Sequence, residues 1–269
     1  MMTMSARIYR SLLSLIFVTI PPSLWAQAAE TGAKVDQDTA GQDVNPTKPV
    51  FWNFRNEYHN LRGSFWDNVI IVRVDKVVLK RTPGLGGKRG VILRFDMPFP
   101  IVHAADGNIT GGLGDLYAQF VYVPFLTRTF ALASGSGLVL PTATDERLGS
   151  GKWQISPILA PVWFIPKHGF FVLKLQDYKS FAGDVFRPDV NYFLFTPILS
   201  LSLKHRWWIQ LDGECKTNWE QSGHTGYKSG FLLGRMFGPH LGLWVKPEVP
   251  WGLYREGNFT IKTSVFWVR

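Results

Sequence analysis

The stretch Trp207-Trp208-Ile209-Gln210-Leu211-Asp212-Gly213-Glu214-Cys215-Lys216 decides the fold. Trp207, Ile209, Leu211 and Cys215 share one face, with Gly213 between the last two, while Gln210, Asp212, Glu214 and Lys216 fill the other. A period of two with an apolar and a charged face is the pattern of a β-strand between two different solvents. Segments of the same kind, each about ten residues long, recur on both sides of this one. Membrane-spanning β-barrels are written this way, because lipid-facing and lumen-facing side chains exchange at every residue along a tilted strand.

Read by alternation and turn residues, the chain is all-β, an antiparallel transmembrane β-barrel of about twelve strands. They fall near 51–59, 69–80, 90–98, 115–124, 130–140, 152–165, 169–179, 190–203, 206–216, 226–236, 240–249 and 259–268. An even number returns the C-terminus to the side of the N-terminus. Connection lengths test this independently. Leu126 to Thr129, Pro166 to His168, Lys204-His205 and Phe237 to Pro239 are brief, whereas Phe99 to Gly114, Pro141 to Gly151, Ser180 to Asp189, Thr217 to Thr225 and Pro250 to Asn258 are long. Short and long alternate, as periplasmic turns and outer loops do. Arg81 to Arg89 is too long for the periplasmic turn expected there. Pro157, Pro161 and Pro197 fall inside strands of a barrel that has no edge, which predicts bulges or bends at each.

Arg7 and Arg10 precede the uncharged apolar run Ser11 to Ile20, and Ala26-Gln27-Ala28 supplies a small-x-small cleavage pattern. Residues 1–28 therefore read as a signal peptide, 29–49 as a flexible periplasmic lead-in and 50–269 as an outer-membrane barrel. A spanning helix needs roughly 20 apolar residues. The run at 11–20 is shorter, and later uncharged stretches are broken by Gly or Pro.

Aromatic residues make up 14% of the chain and include 11 Trp, which fits belts at two membrane interfaces. The net charge of +9 comes from Lys and Arg spread along the chain rather than gathered into a patch, so nucleic acid is not an expected partner. One cysteine, Cys215, excludes an internal disulfide and any Cys-based metal site. It sits on the apolar face of its strand.

Several stretches resemble a known group. Leu140-Pro141-Thr142-Ala143-Thr144-Asp145 running into Leu148-Gly149-Ser150-Gly151-Lys152-Trp153-Gln154, together with Gly112-Leu113-Gly114-Asp115-Leu116, is similar to outer-membrane transporters of the phenol-degradation MetA-pathway family. Phe181-Ala182-Gly183-Asp184, Arg187-Pro188-Asp189-Val190-Asn191, Asn45-Pro46-Thr47 and Phe54-Arg55-Asn56-Glu57-Tyr58 match the same group. The resemblance implies an outer-membrane barrel that carries small, aromatic or hydrophobic solutes.

Strand parity assigns the lumen: Asn53, Arg55 and Glu57; Arg73 and Asp75; Arg94 and Asp96; Lys174 and Gln176; Asp212, Glu214 and Lys216; Lys246 and Glu248; Lys262. Both signs stand on neighbouring strands, which predicts a ladder of ion pairs, a wall that selects solute, or both. Enzyme motifs are poor. Gly84-Leu85-Gly86-Gly87-Lys88-Arg89-Gly90 lacks the Ser or Thr of a phosphate loop. The six His residues are isolated and none pairs at metal spacing, so neither metal nor cofactor is expected. The leading expectation is a non-enzymatic channel or transporter in the outer membrane of a Gram-negative bacterium. Its expected partners are outer-membrane lipid, lipopolysaccharide, a small solute and the barrel-assembly machinery, which would read the amphipathic last strand, Phe259 to Val268. Two alternatives are a lipid-modifying enzyme using Ser134 or Ser136 with a His on the next strand, and a closed structural or adhesion barrel.

Overall fold

A computed structural model describes residues 52–62, 65–79, 90–103 and 107–268, with Val77 and Leu79 as backbone only. The leader and lead-in expected over 1–49, the Arg81 to Arg89 connection and the glycines at 84–87 lie outside the described residues. In chain order the strands are β1 (Trp52–Asn60), β2 (Trp66–Leu79), β3 (Gly90–His103), β4 (Ile109–Gly111), β5 (Leu116–Leu126), β6 (Phe130–Leu140), β7 (Lys152–Ile165), β8 (Gly169–Gly183), β9 (Asn191–Ser202), β10 (Trp207–Asn218), β11 (His224–Phe237), β12 (Leu241–Trp251) and β13 (Phe259–Trp267).

Every strand pairs antiparallel with its neighbours, and β1 closes the circle on β13 from Trp52↔Trp267 to Asn60↔Phe259. β3 pairs with β5 over Gly90 to Asp96 and with three-residue β4 over Ile101 to His103. β4 thus completes one side of β3 beyond the end of β5, and the barrel has twelve staves.

Register follows the alternation, since a one-residue slip would carry every charge to the other face. Along β7 the outward residues are Trp153, Ile155, Pro157, Leu159, Pro161, Trp163 and Ile165, and the inward ones start Lys152, Gln154, Ser156. Trp153 and Trp163 stand ten residues apart, about 33 Å along a strand and about 25 Å of height at barrel tilt. Similar pairs mark the same levels elsewhere. Trp52 faces Trp267 at the termini side, and Tyr227 stacks on Trp251 at 4.5 Å on the opposite side. Phe54, Phe95, Phe120 and Phe231 lie outward between those levels, each more than 40% exposed. Such a continuous apolar surface matches hydrocarbon rather than water.

Prolines 157, 161 and 197 correct the expectation of bulges. Pairing between β7 and β8 passes from Ile155↔Lys179 to Ile158↔Gln176, and from Leu159↔Leu175 to Val162↔Val172, without a shift. β9 likewise pairs with β10 at Phe195↔Cys215 and Ile198↔Asp212 around Pro197. Each proline interrupts only the ladder its missing N–H would have served, keeps its pairing on the other side (Ser136↔Pro157, Leu132↔Pro161, Leu173↔Pro197), and turns its ring outward. A real irregularity occurs between Tyr122 and Phe125, around Pro124.

Strands also run beyond the expected ends at the long-loop side. β3 continues to His103, β8 to Gly183 and β10 to Asn218, while β11 starts at His224, leaving a one-turn 3-10 segment, Trp219–Gln221, in the 217–225 connection. Polar residues there do not need lipid to keep a ladder, because cross-strand pairs such as Thr217 and Thr225, with hydroxyls 3.0 Å apart, hold it in water.

The interior differs from end to end. At the short-turn side two sets of inward side chains are packed out of solvent. Ala131, Ala133, Ala160, Val162, Phe170 and Val172 form one with their neighbours, and Trp208, Leu232, Met236, Trp244, Phe266 and Val268 form the other. Glycines make the second set possible: a Cβ at Gly234 would strike the Trp208 ring, and one at Gly242 the Phe266 ring. Trp208 and Trp244 therefore depart from the belt role expected of Trp.

Candidate functional site

Above those packed side chains the barrel holds a cavity of about 530 Å³. Arg55, Glu57, Arg73, Arg94, Asp96, Lys174, Gln176, Asp212, Glu214, Lys246, Glu248 and Lys262 line it. Three residues named from parity stand elsewhere. Asn53 is buried and accepts from the Ser264 hydroxyl at 3.0 Å, Asp75 is buried under Arg94, and Lys216 lines a separate small pocket nearer the loops, with Glu214, Tyr254 and Glu256.

Their charges are arranged in two blocks. On β2 and β3, Arg73 donates twice to Asp96 at 2.6 Å and Arg94 donates twice to Asp75 at 2.8 Å, the fork geometry that suits a guanidinium and a carboxylate. Around β10, β12, β13 and β1 the signs alternate as a chain. Asp212 meets Lys246 at 2.5 Å, Lys246 meets Glu248 at 2.7 Å, Glu248 meets Lys262 at 3.2 Å, Lys262 meets Glu57 at 3.4 Å and Glu57 meets Arg55 at 3.0 Å. His59 extends it to Asp67 on β2. Burial demands such partners, because an isolated interior charge costs several kcal/mol.

The wall from β5 to β9 is built differently. Tyr117, Gln119, Ser156, Gln176, Tyr178 and Thr196 supply hydroxyls and amides. Gln176 Nε2 donates among three hydroxyl oxygens, those of Ser156 and Tyr178 at 2.8 Å and of Tyr117 at 3.0 Å. Tyr117 and Tyr178 were not among the residues named from the sequence, although each shares the parity of a named or lining neighbour, Tyr178 that of Gln176. A reading centred on charged and amide side chains passes over phenols. Asp115 also goes unnamed: the sequence reading makes it the first residue of a strand over 115–124, whereas β5 starts at Leu116 and Asp115 belongs to the connection before it.

Asp115 joins two of the stretches quoted above. Its carboxylate accepts from the Ser150 N–H at 2.6 Å, the Ser150 hydroxyl at 2.8 Å and the Ala143 N–H at 3.3 Å. Thr142 Oγ1 donates to the Gly114 carbonyl at 3.0 Å, and Leu148 is buried beside Gly112 and Gly114. The Gly112 to Leu116 segment and the Leu140 to Gln154 segment are thus one assembly at the cavity rim. Beside it, Lys152 meets Asp189 at 2.8 Å and holds that carboxyl below the usual range. Burial would raise the Glu256 carboxyl, but Lys216 at 2.6 Å outweighs it and the group titrates low.

Among the described residues, no His stands opposite Ser134 or Ser136 on a neighbouring strand. Ser134 stands opposite Tyr122 and Leu159, and Ser136 opposite Phe120 and Pro157. Among the described residues no cluster of His, Cys, Asp and Glu has the geometry to hold a metal ion.

No protein-family model and no curated relative matches the sequence. Solved structures do match. A COG4313 outer membrane channel from Pseudomonas putida F1 superposes with a TM-score of 0.65 at 14% identity, over 82% of this chain and 96% of that one. The NanC porin gives 0.56 at 9% identity over 81% and 100%, and the KdgM porin 0.53 at 10% over 81% and 98%. The fold is that of outer-membrane β-barrels.

Proposed function

We propose that the chain is an outer-membrane channel of a Gram-negative cell, exported by its leader, that takes small solutes into the barrel. One observation carries this reading: a wall with an apolar, aromatic-belted outside encloses a cavity lined by charged and hydroxylated side chains. Water-soluble proteins have no use for that inversion, whereas a pore through lipid requires it. The parity-named residues that line the cavity are its solute-facing wall, and the resemblance to the MetA-pathway family supports aromatic or hydrophobic molecules among its solutes. Lipid, lipopolysaccharide and the assembly machinery are the partners such a location brings.

A second reading rests on the short-turn half, where the buried side chains of Trp208, Met236, Trp244, Phe266, Val162 and Phe170 line no part of the cavity. A permanently filled end would make this a closed barrel whose loops bind partners. In the channel reading the same side chains are a hydrophobic constriction that opens. Conductance of refolded protein in a planar bilayer decides. Discrete current steps, enlarged in Trp208→Ala, support the channel, and a silent membrane for both proteins rejects it in favour of the closed barrel.

A further inference from the structure

Almost every cation on the cavity wall is matched. Arg55, Arg73, Arg94, Lys246 and Lys262 each have a carboxylate within 3.4 Å. Lys174 is the exception: among the described residues no acidic group lies within ion-pair distance of its ammonium, although it lines the cavity. β8 places it between Ala160 of β7 and Thr196 of β9, neither of which can neutralise it. Glu214 of β10 stands on the far side of Thr196 and is already paired with Lys228 at 3.2 Å, and the other charged groups that act on Lys174 are the three arginines of β1 to β3.

Directly beyond Lys174 on the same face come Gln176 and Tyr178, about 7 Å per step of two residues. There, among the described residues, the amide nitrogen of Gln176 and the hydroxyls of Tyr117, Tyr178 and Ser156 bond to one another. Hydroxyls can rotate a proton toward a guest. The niche therefore offers an ammonium, phenol O–H donors and two tyrosine rings, whose centroids are 6.4 Å apart, and the carboxylate beside it, Asp96 opposite Tyr117, is already held twice by Arg73.

We propose that Lys174, with Tyr117 and Tyr178, forms a binding site in the barrel for the acceptor-only head of a small organic anion, a carboxylate, whose body lies against the tyrosine rings. An ammonium held in a partly dehydrated wall without a carboxylate in contact costs free energy that a carboxylate guest recovers. A neutral molecule of the same size recovers none of it. The cavity volume falls in the range that takes small ligands. This inference rests on the channel reading for its purpose, and not for its chemistry.

Calorimetric titration of the detergent-refolded full chain in low-chloride buffer tests it, using gluconate against glucose and benzoate against benzyl alcohol. At least one carboxylate should bind tenfold or more tightly than its neutral counterpart, and Lys174→Gln should remove that preference while Lys174→Arg retains it. The wild-type comparison needs no variant, so a misfolded Lys174→Gln protein does not rescue the proposal. Equal binding of acid and neutral partner in both pairs overturns it, as does an unchanged preference in folded Lys174→Gln. Conductance recorded in parallel separates the two readings: acid-selective binding in a silent barrel keeps the site and rejects the channel, whereas current without acid preference does the reverse.

Discussion

At the residue scale, the packed end of the barrel depends on what is missing from two glycines. Trp208 lies where the Gly234 side chain would be, so Gly234→Ala should overfill that layer and cost about 1–3 kcal/mol in a urea melt. Gly213 is the control. It faces outward, and an added Cβ would meet its nearest atom, of Pro197, at 3.6 Å, so Gly213→Ala should leave the melt unchanged. Equal effects at the two positions would refute the nesting of ring on glycine. Asp115 has the same concentrated role at the rim. Removing three accepted bonds in Asp115→Ala should loosen residues 141–151, seen as faster protease cleavage between Thr142 and Gly151 with the barrel intact. The sequence showed the parity of Arg55, Glu57 or Lys246 plainly, because a charge in an apolar alternation stands out. It was silent on the nesting of Trp208 over Gly234, which depends on register between two strands, and on the bonds from Asp115 to Ser150, which cross 35 positions.

At the element scale, ion pairs tie strands together and set the charge of the wall. Replacing Asp212 and Glu214 of β10 by Asn and Gln keeps the side-chain volumes, deprives Lys228 of its carboxylate and leaves Lys246 with Glu248 alone. In a conducting barrel the reversal potential under a salt gradient should move toward that of anions; an unmoved potential would contradict a solute-facing Asp212 and Glu214. The loop between β8 and β9 responds to acid instead. Asp189 titrates below its unfolded value, so its tie to Lys152 is complete above the ordinary carboxylate range and is lost as pH falls through the lowered one. Protection of the Val190 amide, whose N–H donates to Ser180 Oγ at 3.0 Å, measured relative to the unstructured chain at the same pH, should fall below about pH 4. Asp189→Asn should show that low protection at every pH. Strand centres were legible for every strand but β4, which falls inside the expected 99–114 connection, while the long-loop ends of β3, β8 and β10 were not. Alternation stops reporting where both faces meet water, as at Thr217 to Thr225, and proline reads as a breaker unless one knows that its ring faces outward and only one ladder loses a bond.

At the scale of the whole molecule, closure of twelve staves through β1 and β13 leaves no free edge. Extracted protein should give a β-dominated circular dichroism spectrum and migrate differently on gels before and after boiling; a helical spectrum would reject the fold. A cysteine placed at Asp145 should react with an impermeant label on intact cells, and one at Lys167 should not, since these positions lie at opposite ends of β7. The two Trp levels of that strand carry a further implication. A belt separation of about 25 Å acts as a ruler, and it is several ångströms shorter than the hydrocarbon of an average bilayer, about 30 Å. Insertion into a thick membrane would drag polar loop-side residues into hydrocarbon or force lipid to thin around the wall, at a cost that grows with each ångström of mismatch. Residence would thus be decided partly by thickness: spontaneous insertion should be quicker and more complete in vesicles of short-chain lipids than in long-chain ones, and the inner membrane would be a poor host even for a chain released into it by mistake.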